Sequence, residues 1–242
     1  MITISDFTGT ALAGNTVIYT ISFDKPIDRA VTFTPSIIGG TADESDFEAL
    51  EPVTMQPYTT SVEFPVTLIQ DYIVGPDKTL EIQLEILGVA EKYLVNPNAV
   101  IPPINLTFGM ADPTLLIVNF AWNTEDDMDI VTWSDTNDYP SQLWGTGGAT
   151  SANPEVDHAI WLSDPVGDYY VSIIDWDQEV TFNYTFTLGN PDGSTQTISG
   201  TWNPANAGNY VTDVGPGAWG NPALYRVLKV VNNGTSFVVT AL

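Results

Sequence analysis

Four carboxylates crowd into five consecutive positions, Glu125, Asp126, Asp127 and Asp129, interrupted only by Met128. Like charges this close repel unless water, hydrogen bonds or a cation relieves them. A hard cation such as calcium, held by several carboxylate and carbonyl oxygens, is one solution. A solvated acidic turn is the other, and the residue types fit both. With a cation present, Asp127 and Asp129 are the first expected ligands, reaching one ion only where the backbone bends as a loop. Asp175-Trp176-Asp177 is a second, sparser acidic turn.

Other chemistries find less support. His158 is the only histidine and there is no cysteine, so thiolate sites, disulfides and ordinary zinc sites are not expected. No Gly-x-Ser-x-Gly elbow, phosphate loop or dinucleotide fingerprint occurs, and His158 has no clear serine partner motif, so it reads as structural. Acidic residues are so abundant that no carboxylate pair points to glycoside cleavage. The expectation is a protein that is not an enzyme. Six of the seven tryptophans lie beyond Thr132. Large aromatics ordinarily fill sandwich cores or interfaces. Trp144, in a glycine-rich stretch, and Trp176 are the candidates for stacking on a glycan.

The surrounding charge narrows the partners. The 242 residues carry 30 acidic and 6 basic side chains, a formal charge of −24, and no lysine or arginine falls between Lys92 and Arg226. Such a surface repels nucleic-acid phosphates and anionic lipid. It suits divalent cations or high salt, which screen self-repulsion. No apolar run is long enough to span a bilayer as a helix, so membrane insertion is not expected. Met1-Ile2-Thr3-Ile4-Ser5-Asp6 lacks the basic and apolar regions of a signal peptide.

The elements that must position these residues read almost throughout with period two, the pattern of half-buried strands. Val17, Tyr19, Ile21 and Phe23 alternate with polar neighbours, as do Val62, Phe64, Val66 and Leu68, and Leu80, Ile82, Leu84 and Ile86. Pro65 on the alternate face predicts an edge or a bulge. Val31 and Phe33 form a short strand closed by Pro35, and a helical turn is conceivable only near Ala90 to Leu94. Ile104, Leu106 and Phe108 close this first set. Gly109 to Pro113 is the expected boundary, giving domains 1–110 and 111–242. Beyond it the predicted strands are Leu115–Trp122, Ile130–Trp133, Tyr169–Ile174, Phe182–Leu188, Thr195–Thr201, Tyr225–Val231 and Phe237–Ala241. Asn190-Pro191-Asp192-Gly193 and Asn232-Asn233-Gly234 are hairpin turns. Ser134 to Glu155 reads as one long irregular segment. The fold class is all-β, two tandem β-sandwiches of immunoglobulin-like or jelly-roll-like kind.

Residues 5–88 resemble a Calx-beta domain through Gly40-Thr41-Ala42, Asp46-Phe47, the strand Val62–Ile69, the Asp71 turn and Thr79-Leu80-Glu81-Ile82-Gln83-Leu84. Calcium-binding members carry acidic ligands where this chain has Ala11-Leu12-Ala13, Gln70-Asp71 and Lys78, so the resemblance implies the fold rather than the ion site. The second half is similar to pre-peptidase C-terminal sandwiches of bacterial surface proteins through Trp122-Asn123-Thr124, Asp127-Met128-Asp129 and Gly167-Asp168-Tyr169-Tyr170-Val171. That resemblance implies a non-catalytic module that binds calcium and in some members glycans or protein partners. It places Glu155 as the residue closing the site, with Asp126 or Asp157 in support.

Together these readings predict a non-enzymatic structural or adhesive surface protein with protein partners in an assembly, a capsid or a surface layer, and symmetric if homo-oligomeric. The absent leader directs the expectation to a phage virion component such as a capsid decoration, spike or head fibre. A bacterial cell-surface adhesin or matrix protein, and a carbohydrate-binding accessory module of a secreted hydrolase, are the alternatives.

Overall fold

The computed structural model describes residues 2–7, 11–70, 72–86, 100–109, 112–124, 128–134, 143–144, 155–175, 181–203 and 223–242. The helical turn considered near Ala90 lies outside them. The described secondary structure is all-β. The chain divides into two compact units, Met1–Asp71 with Pro76–Met110, and Tyr72–Gly75 with Ala111–Leu242.

Unit 1 is a sandwich of two sheets. One holds β1 (Ile2–Ile4), β3 (Thr16–Phe23) and β6 (Ser61–Thr67) in the order β1-β3-β6. The other holds β2 (Ala11–Leu12), β4 (Val31–Gly40), β5 (Val53–Met55), β7 (Lys78–Ile86) and β8 (Ile104–Gly109) in the order β2-β8-β7-β4-β5. Period two does the sorting. Val17, Tyr19, Ile21 and Phe23 turn inward from β3 to meet Phe33, Leu80, Ile82, Leu84 and Phe108 in one buried cluster. Pro65 lies on β6, an edge strand, where a missing N–H costs no central ladder bond.

One feature of unit 1 departs from the expectation. β4 does not stop at Pro35 but continues to Gly40, because β5 pairs only with Val31–Phe33 and leaves the proline beside an open edge. At its end Gly40 takes φ +118°, and a Cβ there would lie 2.3 Å from the Thr79 carbonyl oxygen. Only glycine permits that approach.

Unit 2 is also built from two sheets. β9 (Leu115–Trp122), β12 (Glu155–Trp161), β14 (Phe182–Gly189) and β15 (Thr195–Trp202) run in the order β12-β9-β14-β15. β10 (Met128–Ser134), β11 (Leu143–Trp144), β13 (Gly167–Asp175), β16 (Ala223–Asn232) and β17 (Phe237–Ala241) run in the order β11-β10-β13-β16-β17. Their shared core includes Phe120, Trp122, Met128, Val171, Phe186 and Trp202. The β14–β15 and β16–β17 hairpins form at the predicted turns, with Gly193 and Gly234 at φ +83° and +87°. The span read as irregular from Ser134 to Glu155 contains β11, and Glu155 begins a seven-residue strand rather than ending a loop.

Within unit 2, Asn119 on β9 holds the tetrapeptide Tyr72–Gly75. Its Nδ2 donates to the Tyr72 carbonyl at 2.8 Å and its Oδ1 accepts from the Val74 N–H at 2.6 Å. Tyr72 takes φ 55°, an unusual conformation for a bulky residue. The Val74 methyl rests where Gly189 has no Cβ, 3.0 Å from the position one would occupy.

Candidate functional site

The acidic run is the connection by which the chain leaves one sheet of unit 2 at Trp122 and enters the other at Met128. Its start is fixed: Asn123 Oδ1 accepts from the Asn183 N–H at 2.7 Å, tying it to β14. Thr124 follows, and its Oγ1 is buried without a hydrogen-bond partner. Asp126 and Asp127 lie outside the described residues, as does Trp176.

The backbone register places the other candidates. Asp129 is the second residue of β10, opposite Ile174. Glu155 opens β12 opposite Phe120, two residues before β9 ends, and Asp157 falls in the irregularity between Glu155 and His158. Asp175 ends β13 opposite Met128. The strand positions of Asp129, Glu155, Asp157 and Asp175 all lie at the end of unit 2 where β9 gives way to β10, but on different faces. Alternation puts the Asp129 position with Val131 and Trp133 on the face away from the core, whereas the Glu155 position pairs with the core residue Phe120. The six residue steps from Trp122 to Met128 span at most about 21 Å extended, against roughly 10 Å between packed sheets. Among the described residues no group of three or more histidine or carboxylate side chains is arranged to hold a metal. His158 pairs in register with the core residue Val118.

Trp144 sits in β11 opposite Val131, and Val131 is opposite Ser172 in β13. One step along, Trp133 is opposite Tyr170. Strand alternation puts these positions on the face away from the core residues Tyr169, Val171 and Ile173. On the same face the Arg226 guanidinium lies 4.3 Å from the centre of the Tyr170 ring, a cation–π contact, and Lys229 pairs with Asp168 at 2.5 Å. Of the tryptophans read as core, Trp202 is buried while Trp161 is 38% exposed.

Unit 1 has an acidic loop of its own that the sequence reading did not resolve. Asp46 is fully buried. Its Oδ1 accepts a charge-assisted bond from Lys78 Nζ and its Oδ2 accepts from the Asp43 N–H at 2.8 Å. Its backbone closes the loop, donating to the Asp43 carbonyl at 3.0 Å and accepting from Ile69 N–H at 2.8 Å. Asp43 Oδ1 in turn accepts from the Ser45 hydroxyl and N–H. Those bonds, with the nearby Lys78 charge, hold the Asp43 carboxyl below the usual carboxylate range. Lys78 thus supplies the positive charge this loop needs. The signal available beforehand was a lysine where a family resemblance led one to expect an acid.

Comparison with known proteins adds little to this geometry. No family model matches the chain, and no curated protein matches it. Among solved structures, one titled "Crystal structure of CBD12 from CALX1.2" aligns over 76% of this chain and 79% of its own, at 11% identity and a TM-score of 0.33. At that TM-score the likeness carries no argument about this chain.

Proposed function

We propose that this chain is a non-catalytic structural or adhesive surface protein that works within an assembly, with calcium closing the β9–β10 end of unit 2. The calcium reading is supported by the strand positions of Asp129, Glu155 and Asp157, which lie at the same end of unit 2 as the connection that contains Asp126 and Asp127. Carboxylates crowded at one end of a unit are costly without a counter-charge, and calcium accepts six to eight oxygens in adaptable geometry. The −24 charge supports a partner that is a cation or a protein rather than a nucleic acid. We favour a phage virion component, a capsid decoration, spike or head fibre, over a bacterial surface adhesin. Immunogold labelling of particles against labelling of cells separates the two.

Thermal melting with and without chelator tests the calcium reading. Chelation is expected to lower the melting temperature of the wild type, and Asp127→Ala combined with Asp129→Ala to remove the difference. An unchanged melt in chelator overturns it. One observation favours a second reading as a glycan-binding module: the positions of Trp144, Trp133 and Tyr170 fall on one sheet face, in two neighbouring rows. Silence on a glycan array would end that reading and leave the first untouched.

A further inference from the structure

The sheet of unit 1 that ends in β5 is incompletely covered. β5 pairs with β4 only at Val31, Thr32 and Phe33, so among the described residues no strand flanks that side of β4 from Thr34 to Gly40. Beside the open stretch lies a groove of about 430 Å³, lined by Pro35 and Ile37 of β4 and by Glu44, Phe47 and Leu50 of the following loop. Phe47 is buried beneath it, while Ile37 and its neighbour Ile38 are 49% and 54% exposed. Ile37 pairs in register with the core residue Ile82, so its exposure marks a stretch of the core-side face left uncovered, and the register shift that follows falls at Ile38.

The rim of this groove has one sign of charge. Among the described residues Glu44 is the one charged residue that lines it, and beyond the lining the carboxylate of Glu81, on the paired strand β7, lies over Gly39 of β4. Lys78, the lysine of the adjoining strand, is bonded to Asp46. Pro35 withholds an N–H, and the bulge bends the strand, so a long flat strand such as another copy's edge fits poorly. A short extended segment fits better, with apolar side chains at alternate positions entering the groove and cationic ends meeting Glu44 and Glu81.

We infer that the open side of β4 is a docking groove for a short extended segment of a partner protein, apolar in its centre and carrying lysine or arginine at its ends. The inference goes beyond the assembly reading and stands whether or not unit 2 holds calcium.

The test uses the full chain and two capped hexapeptides, Lys-Leu-Thr-Leu-Thr-Lys and the same peptide with glutamate at both ends, followed by methyl NMR. The lysine-ended peptide is expected to shift the Ile37, Ile38 and Leu50 methyl signals saturably, and the glutamate-ended peptide to leave them in place. Glu44→Lys, an exposed substitution, is expected to weaken binding roughly tenfold, and Ile37→Thr, which keeps a strand-forming residue, to abolish it. General attraction to an acidic protein would survive either single change. Absence of saturable shifts, shifts confined to other residues, or binding unaffected by Glu44→Lys would each overturn the inference.

Discussion

Lys78 reaches across 32 positions of sequence to the buried carboxylate of Asp46, and the loop from Asp43 to Phe47 is organised around that bond. Removing one partner from a buried ion pair leaves the other charge unsolvated, which costs more than the pair itself contributes. Lys78→Met is expected to destabilise unit 1 by roughly 2–3 kcal/mol, below the range for a fully buried pair because Lys78 keeps 28% exposure. Asp46→Asn with Lys78→Met should recover part of the loss. Denaturant melts of the three variants check this; equal stability of Lys78→Met and wild type would remove the pair from the account of this loop.

Asn119→Ala deletes the two hydrogen bonds that hold Tyr72 and Val74. The expected loss is about 1–3 kcal/mol in unit 2. Amide hydrogen exchange at Val74 should accelerate far more than at the β14–β15 hairpin. A Val74 amide that stays protected in the variant would contradict the assignment.

Gly40→Ala meets both a left-handed backbone and an oxygen 2.3 Å from the new methyl. Backbone strain and the clash together predict a loss of about 2–4 kcal/mol. Gly75→Ala, with open space around its Cβ position, should cost under about 1 kcal/mol. Parallel thermal melts of the pair provide the comparison.

Burial, and secondarily the charge of Asp6, push the Tyr19 phenol up to about 12. The folded form then keeps its proton at pH values where the unfolded chain has lost it. The stability linked to this group is therefore complete below pH 10 and is lost as pH rises from 10 to 12. Tyr19→Phe should flatten that part of the pH–stability curve by roughly 2–3 kcal/mol at most. At neutral pH the substitution should be neutral or stabilising, since the Tyr19 hydroxyl is buried without a partner. Curves of identical slope above pH 10 in both proteins would contradict this.

The fold was legible wherever alternation was uninterrupted, as in Leu80 to Ile86, and wherever a turn had its own chemistry, as at Asn190-Pro191-Asp192-Gly193. Short strands escaped: β5 has three residues and β11 two, too few for a period to show. β12 escaped because Glu155 and Asp157 carry charge into a strand, so composition argued for a loop. The acidic connection was visible as a cluster, but that the Glu155 position falls at the same end of unit 2 depends on the pairing of β12 with β9, a long-range relationship that residue types do not encode. The same holds for Asp46 with Lys78 and for Asn119 with Tyr72. In each case a polar side chain takes a partner far along the chain, and its local sequence looks like any exposed polar position.

The parallel pairing of Ala11 and Leu12 with Phe108 and Gly109 has a consequence for synthesis. The ribosome makes the second strand of the chain early and its partner last among those of unit 1. Until Gly109 clears the exit tunnel, β7 presents an unpaired edge and the nascent sheet cannot be completed. Closing so distant a contact is slow relative to forming a hairpin. Nascent chains halted before Ile104 should therefore be the species that chaperones must guard.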